Sequence, residues 1–179
     1  MSSIEFLIGT LLNLYLMVVI LRIWLQLARA DFYNPFSQFI VKATNPPLMP
    51  LRRIIPGWGG MDNAAIVLAF CIAAIKVTLI ALVKGQPLAF IALLFDALAT
   101  LLSEITWIVI VVLILRAILS WISQGHNPIE TVMQQLTEPM LAPIRKVIPP
   151  MGGFDLSILV LLIGLQFILL LIDDILRMM

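Results

Sequence analysis

Few side chains in this sequence could handle charge away from water, and four of them sit inside long apolar runs. Arg22 lies near the end of the run 4–27, Lys76 lies in the run 64–83, and Asp96 and Arg116 lie in the run 88–121. A charge placed in lipid is costly, so such residues usually have a partner or a task. Arg22 and Arg116 occupy equivalent places near span ends. They either snorkel to headgroups or bind carbonyls or an acid of the adjoining connection, where Asp62 and Asp155 are the related acids. Lys76 and Asp96 each lie about 12 Å along a helix from the turn at 84–87, so antiparallel neighbours would bring them to one depth. The expectation is a Lys76–Asp96 pair, read either as a structural clamp or as a site for an ion or proton.

Catalysis has little to draw on. His126 is the single histidine, and it stands in a loop just before Asn127. Metal sites and histidine-based triads need partners that are not spaced for them here. Cys71 is the single cysteine and lies in an apolar run, which suits a small apolar residue better than a reactive thiol. Gly152-Gly153 reads as a turn rather than a phosphate loop. No cofactor, metal or catalytic residue is expected, and the chain is read as non-enzymatic.

The elements that must position these charges are membrane-like. Of 179 residues, 62% are hydrophobic and 12% charged, far from the soluble norm of roughly half and a quarter. The net charge of +1 gives no basic face for nucleic acid. The run 4–27 is long enough to span a hydrocarbon core of about 30 Å. It is too long for a signal-peptide core, contains Arg22, and lacks basic residues before it. The run 64–83 ends at the turn signal Lys84-Gly85-Gln86-Pro87. Residues 88–121 contain no Gly or Pro, which predicts one helix of about 50 Å. A last span covers 156–172 and is closed by Asp173, Asp174 and Arg177.

Four crossings put connections 29–63 and 122–155 on one side. Arg29, Lys42, Arg52, Arg53, Arg145 and Lys146 lie there, whereas Lys84 and Arg177 face the other side. The positive-inside rule then places both connections in the cytoplasm and both termini outside, in an inner membrane.

The two connections are copies. Residues 34–62 laid over 127–155 without gaps give 12 identities in 29 positions, enough to establish an internal repeat. The matches are Asn34-Pro35 with Asn127-Pro128, Thr44 with Thr137, Pro46 with Pro139, Leu48 with Leu141, Pro50 with Pro143, Arg52 with Arg145, Ile55-Pro56 with Ile148-Pro149, Gly59-Gly60 with Gly152-Gly153, and Asp62 with Asp155. Arg53 faces Lys146, a like charge. The expected fold is all-α: an integral membrane bundle of four spans in two tandem repeats of one orientation, residues 1–84 and 88–179. Each repeat carries a cytoplasmic hairpin, 34–62 or 127–155.

Inside each hairpin, Asn34 and Asn127 suit N-caps and the following prolines suit the first helical position. Phe36, Phe39, Ile40 and Ala43, and likewise Ile129, Val132, Met133 and Leu136, form an apolar stripe. Pro46 and Pro139 are expected to end these helices. A second short piece with the basic pair follows at 48–55 or 141–148. The hairpins either lie flat in the interface, apolar face down, or dip in and return.

Leu21-Arg22-Ile23-Trp24, Asp31-Phe32-Tyr33-Asn34-Pro35-Phe36 and Pro50-Leu51-Arg52-Arg53-Ile54-Ile55-Pro56 resemble the YggT family of bacterial inner-membrane proteins, called YlmG in Gram-positive bacteria and plastids. So does the stretch from Thr137-Glu138-Pro139 through Pro143-Ile144-Arg145-Lys146 to Asp155-Leu156-Ser157. The first copy has Ala64 where the family pattern carries serine. The resemblance implies a part in osmotic-stress tolerance and potassium or ion homeostasis, as a small channel or transport component. It equally implies an assembly role at envelope or division loci, or in maturation of a haem-bearing cytochrome. The expected partners are membrane lipids, with anionic headgroups meeting the basic hairpins, and a second copy or another membrane or cytoplasmic protein.

Overall fold

The computed structural model describes residues 2–57, 59–122, 127–148 and 155–178. His126, Pro149 and Gly152-Gly153 lie outside the described residues. Among the described residues the chain is all-helical: α1 (Ser3–Leu27), α2 (Pro35–Ile54), α3 (Asn63–Val83), α4 (Phe90–Ile122), α5 (Pro128–Arg145) and α6 (Leu156–Met178). Helices α1, α3, α4 and α6 are long and apolar enough to cross a membrane. Large apolar side chains on them, such as Phe6, Phe90 and Phe167, are more than 60% exposed. In water so many would be an aggregation hazard; in lipid they are at home.

Local sequence sets the boundaries. Asn34 Oδ1 accepts from Phe36 N at 2.9 Å and Asn127 Oδ1 from Ile129 N at 3.0 Å, so both asparagines cap as expected. Pro35 and Pro128 are then the first residues of α2 and α5. α3 stops at Lys84-Gly85, where Gly85 takes φ +64°, a conformation open to glycine without strain. α4 is unbroken over 33 residues, as the missing Gly and Pro predict. α6 runs on past the acidic pair Asp173-Asp174 to Met178.

The hairpins differ from expectation in one respect. Pro46 and Pro139 do not end their helices: α2 continues through Pro46, Pro47 and Pro50, and α5 through Pro139 and Pro143. A proline lacks the N–H that would bond the carbonyl four residues back, and tertiary contacts can replace that bond. Pro47 frees the Ala43 carbonyl, which accepts from Tyr15 Oη at 3.5 Å. Buried Thr44 and Thr137 bond the carbonyls of Ile40 and Met133, each at 2.7 Å. Threonine bonded this way bends a helix, and here it stands two residues before the proline in both copies.

Of the apolar stripes, Ile40, Val132, Met133 and Leu136 are buried within the protein, whereas Phe39 and Ile129 are exposed.

The chain forms two compact units. The first contains residues 1–23 and 40–105. There fully buried Leu48 packs on Ala64 and Ala65 of α3, flanked by Ile23, Leu51, Ile55 and Leu68. The second contains residues 24–39 and 106–179. Its core sets Leu141 of α5, the repeat counterpart of Leu48, against Val109 and Leu113 of α4, with Trp24, Ile158 and Leu161 around them. Within this unit the starts of α2 and α5 are joined, since Asn34 Nδ2 donates to Pro128 O at 2.7 Å and Asp31 N to Gln135 Oε1 at 2.9 Å.

Candidate functional site

In both repeats the arginine at the end of the amphipathic helix grips the aspartate that starts the next span. Arg52 Nε donates to Asp62 Oδ2 at 3.1 Å, and Arg145 Nε to Asp155 Oδ2 at 3.0 Å; the Nη2 groups bond the same oxygens. The other carboxylate oxygen caps the span. Asp62 Oδ1 accepts from Ala65 N at 3.4 Å. Asp155 Oδ1 accepts from Ser157 N at 3.1 Å and from the Ser157 hydroxyl. The first cap is the weaker one, because Ala64 stands where the second repeat has Ser157. Each clamp therefore joins two helices through one side chain that satisfies an arginine and orphan helix donors together.

The second repeat adds another acid. Glu138 bridges two guanidiniums: Arg116 Nη2 donates to it at 3.0 Å, and Arg145 Nη1 at 2.7 and 3.0 Å. Arg116 Nη1 also reaches Thr137 Oγ1. Burial pushes the Glu138 carboxyl up, but the hydrogen bonds and charges of Arg116 and Arg145 outweigh it and hold it below the usual carboxylate value. Asp155 behaves alike: burial raises it, and the bonds from Ser157 and Arg145 bring it below normal. The bond to Asp155 raises Arg145 further above its already high value.

In the first repeat Asn45 stands where Glu138 would be. Arg22 is nine-tenths buried, with Arg52 and Asp62 as charged neighbours. Asp62 and Asp155 thus pair with the helix arginines Arg52 and Arg145. The span arginine Arg116 takes Glu138 instead. Arg53 and Lys146 are exposed.

The expected Lys76–Asp96 pair does not form. Lys76 Nζ pairs with Glu104 Oε1 at 3.1 Å, and Asp96 is exposed. The error is one of register. Lys76 lies about 10 Å from the end of α3 and Glu104 about 21 Å from the start of α4. Connection 84–89 turns at Lys84-Gly85 and reaches Ala89 before α4 begins, so the two helices are offset and the residue opposite Lys76 lies deeper in α4 than Asp96. Glu104 and Glu138 were the residues that motif reading passed over. Glu138 lies seven residues before Arg145, two turns along one face, and that spacing was the available signal.

The model of the CCB3/YggT family matches residues 1–83 and 95–176, one segment in each half of the chain. A protein of Vibrio alginolyticus, described as uncharacterized in the proC 3' region, is 57% identical over 177 residues, covering 98% of this chain and 96% of its own. The protein of Escherichia coli K12 described as uncharacterized protein YggT is 46% identical over 169 residues, 94% of this chain and 88% of its own. A Pseudomonas aeruginosa protein is 43% identical over 166 residues, with 91% and 84% covered. No solved structure matches.

Proposed function

The chain belongs to the CCB3/YggT family, and from that premise we propose that it is a non-enzymatic inner-membrane protein acting as a scaffold at the cytoplasmic face. The observation that carries this reading is the duplicated arginine–aspartate clamp. It fixes an amphipathic helix to the following span in each repeat, and a docking surface needs such a rigid base. Just beyond each clamp arginine the two repeats expose a basic residue followed by an aliphatic one. Arg53 is followed by Ile54, 79% exposed, and Lys146 by Val147, 80% exposed. A basic group beside a bare apolar one suits an anionic headgroup or a membrane-bound partner, including a second copy of the chain.

The osmotic and potassium role that the family resemblance implies is the second reading. The Lys76–Glu104 pair within two apolar helices favours it, because such pairs mark ion paths as well as structural clamps. Reconstitution into potassium-loaded vesicles separates the two. The scaffold predicts no potassium loss beyond that of protein-free vesicles. It also predicts a partner that co-purifies with the parent and is lost when Ile54→Asp and Val147→Asp are combined. A protein-dependent potassium flux removed by Lys76→Met would sink the scaffold and establish the transport reading.

A further inference from the structure

In the second unit a cleft of about 360 Å³ opens among the end of α4, the α5 helix and the start of α6. Its lining changes character along α6. From Asp155 to Leu162, about 10 Å of helix, it turns from charged to apolar. Arg116, Arg145 and Asp155 line the charged part, Glu130 lines the cleft near the other end of α5, about 22 Å along that helix from Arg145, and Ile158, Leu159 and Leu162 wall the rest.

The apolar wall belongs to a helix that protein hardly covers: only 6% of the apolar window of α6 is buried, and Leu159 is 54% exposed. In a bilayer such positions meet acyl chains. The charged part sits where α6 begins and α4 nears its end at Ile122, which is headgroup level for spanning helices. A ligand that matches both parts is an amphiphile entering from the bilayer.

Charge identifies its headgroup. Arg116 and Arg145 are already matched by Glu138 and Asp155. Glu130 lines the same cleft and has no ion pair among the described residues; the lining itself is balanced, but with Glu138, which pairs with both arginines from beside the cleft, the cluster carries one negative charge in surplus. An anionic headgroup would add to that surplus, and a headgroup with a cation would cancel it. A guanidinium has five N–H donors, and the bonds of Arg116 to Thr137 and Glu138 leave donors over.

We propose that this cleft binds one aminophospholipid, with its ammonium on Glu130, its phosphate facing Arg116, and an acyl chain along Ile158, Leu159 and Leu162. The site occurs once per chain, because the counterpart of Glu130 in the first repeat is Ser37, which is fully buried. The proposal rests on the membrane reading of the four apolar helices and not on the scaffold role, so either can fail alone.

The test is native mass spectrometry of the full chain in mild detergent, offered equal phosphatidylethanolamine and phosphatidylglycerol. The expected result is one retained lipid per chain, with the ethanolamine lipid preferred. Glu130→Gln should lower that preference about tenfold, the scale of one charge-assisted hydrogen bond. Glu130→Asp, which keeps the charge, should retain it. Leu159→Trp, which fills the apolar wall, should lower retention of both lipids. Circular dichroism identifies the folded variants. Equal or better retention of phosphatidylglycerol by the parent overturns the proposal, as does a preference unchanged in Glu130→Gln. Displacement of the lipid by chain-free glycerophosphoethanolamine, with no effect of Leu159→Trp, also overturns it.

Discussion

Glu138 neutralises two guanidiniums at once, and replacing it leaves both short of a partner. Glu138→Gln should destabilise the chain by about 1 kcal/mol, since the carboxylate is half exposed and solvent screens part of the pairing. Acid gives a second readout. Glu138 and Asp155 both have lowered values in the folded chain. Their stabilisation is complete above the ordinary carboxylate values, about pH 4, and is lost as pH falls through the lowered ones. Thermal midpoints in detergent should hold steady from neutrality to about pH 5 and then fall, with a shallower fall in Glu138→Gln. The first repeat offers the converse experiment. Asn45→Glu restores the acid that the second repeat uses, so it should raise the thermal midpoint at pH 7 through a new ion pair with Arg22 or Arg52; an unchanged or lower midpoint would show that the two repeats are not equivalent there. The sequence revealed Arg52, Asp62, Arg145 and Asp155 as matched residues but not as matched pairs. Identity between repeats shows which residues recur, and says nothing about which of two nearby arginines an acid chooses.

Leu48 and Leu141 are the element-scale counterparts of the clamps. Both are fully buried, and each fixes an amphipathic helix to a span. Leu141→Ala should cost about 2–5 kcal/mol, the usual price of a buried leucine. Val147→Ala, two residues past α5 and mostly exposed, should stay within about 0.5 kcal/mol. Denaturant or thermal unfolding in detergent checks both, and similar losses at the two sites would contradict the packing described here. At this scale the sequence was readable wherever a local signal decided. Asn-Pro starts, the Lys84-Gly85 stop and the unpunctuated α4 all fell where side-chain chemistry put them. Reading failed where a distant contact decided. Pro46 and Pro139 looked like stops because local geometry disfavours the residue before a proline, yet both helices run on: Thr44 and Thr137 bend them just ahead of each proline, and in α2 Tyr15 takes up the carbonyl that Pro47 leaves. The Lys76 partner was missed for a related reason: the connection between α3 and α4 offsets their register by about two turns without leaving a mark in either helix.

At the scale of the whole molecule, four helices long and apolar enough to cross carry a testable expectation about sidedness. If α1, α3, α4 and α6 all cross, the connection 84–89 and the segment after α5 must lie on opposite faces. By the positive-inside rule, the excess of arginine and lysine in the two long connections predicts the cytoplasm for the latter. Gln86 and Val147 are both exposed and neither contributes to a clamp, so cysteine at either position should be tolerated. In a Cys71→Ala background, Gln86→Cys in intact spheroplasts should react with a membrane-impermeant maleimide. Val147→Cys should react only after the membrane is opened. Reaction of both from one side would mean that α4, the longest of the four helices, does not cross; the scaffold face, which needs Arg53-Ile54 and Lys146-Val147 in one compartment, would then be lost. The reverse pattern, with Val147→Cys reacting in intact spheroplasts, would keep the repeat geometry and move that face to the outside. A partner would then have to be sought in the envelope rather than the cytoplasm.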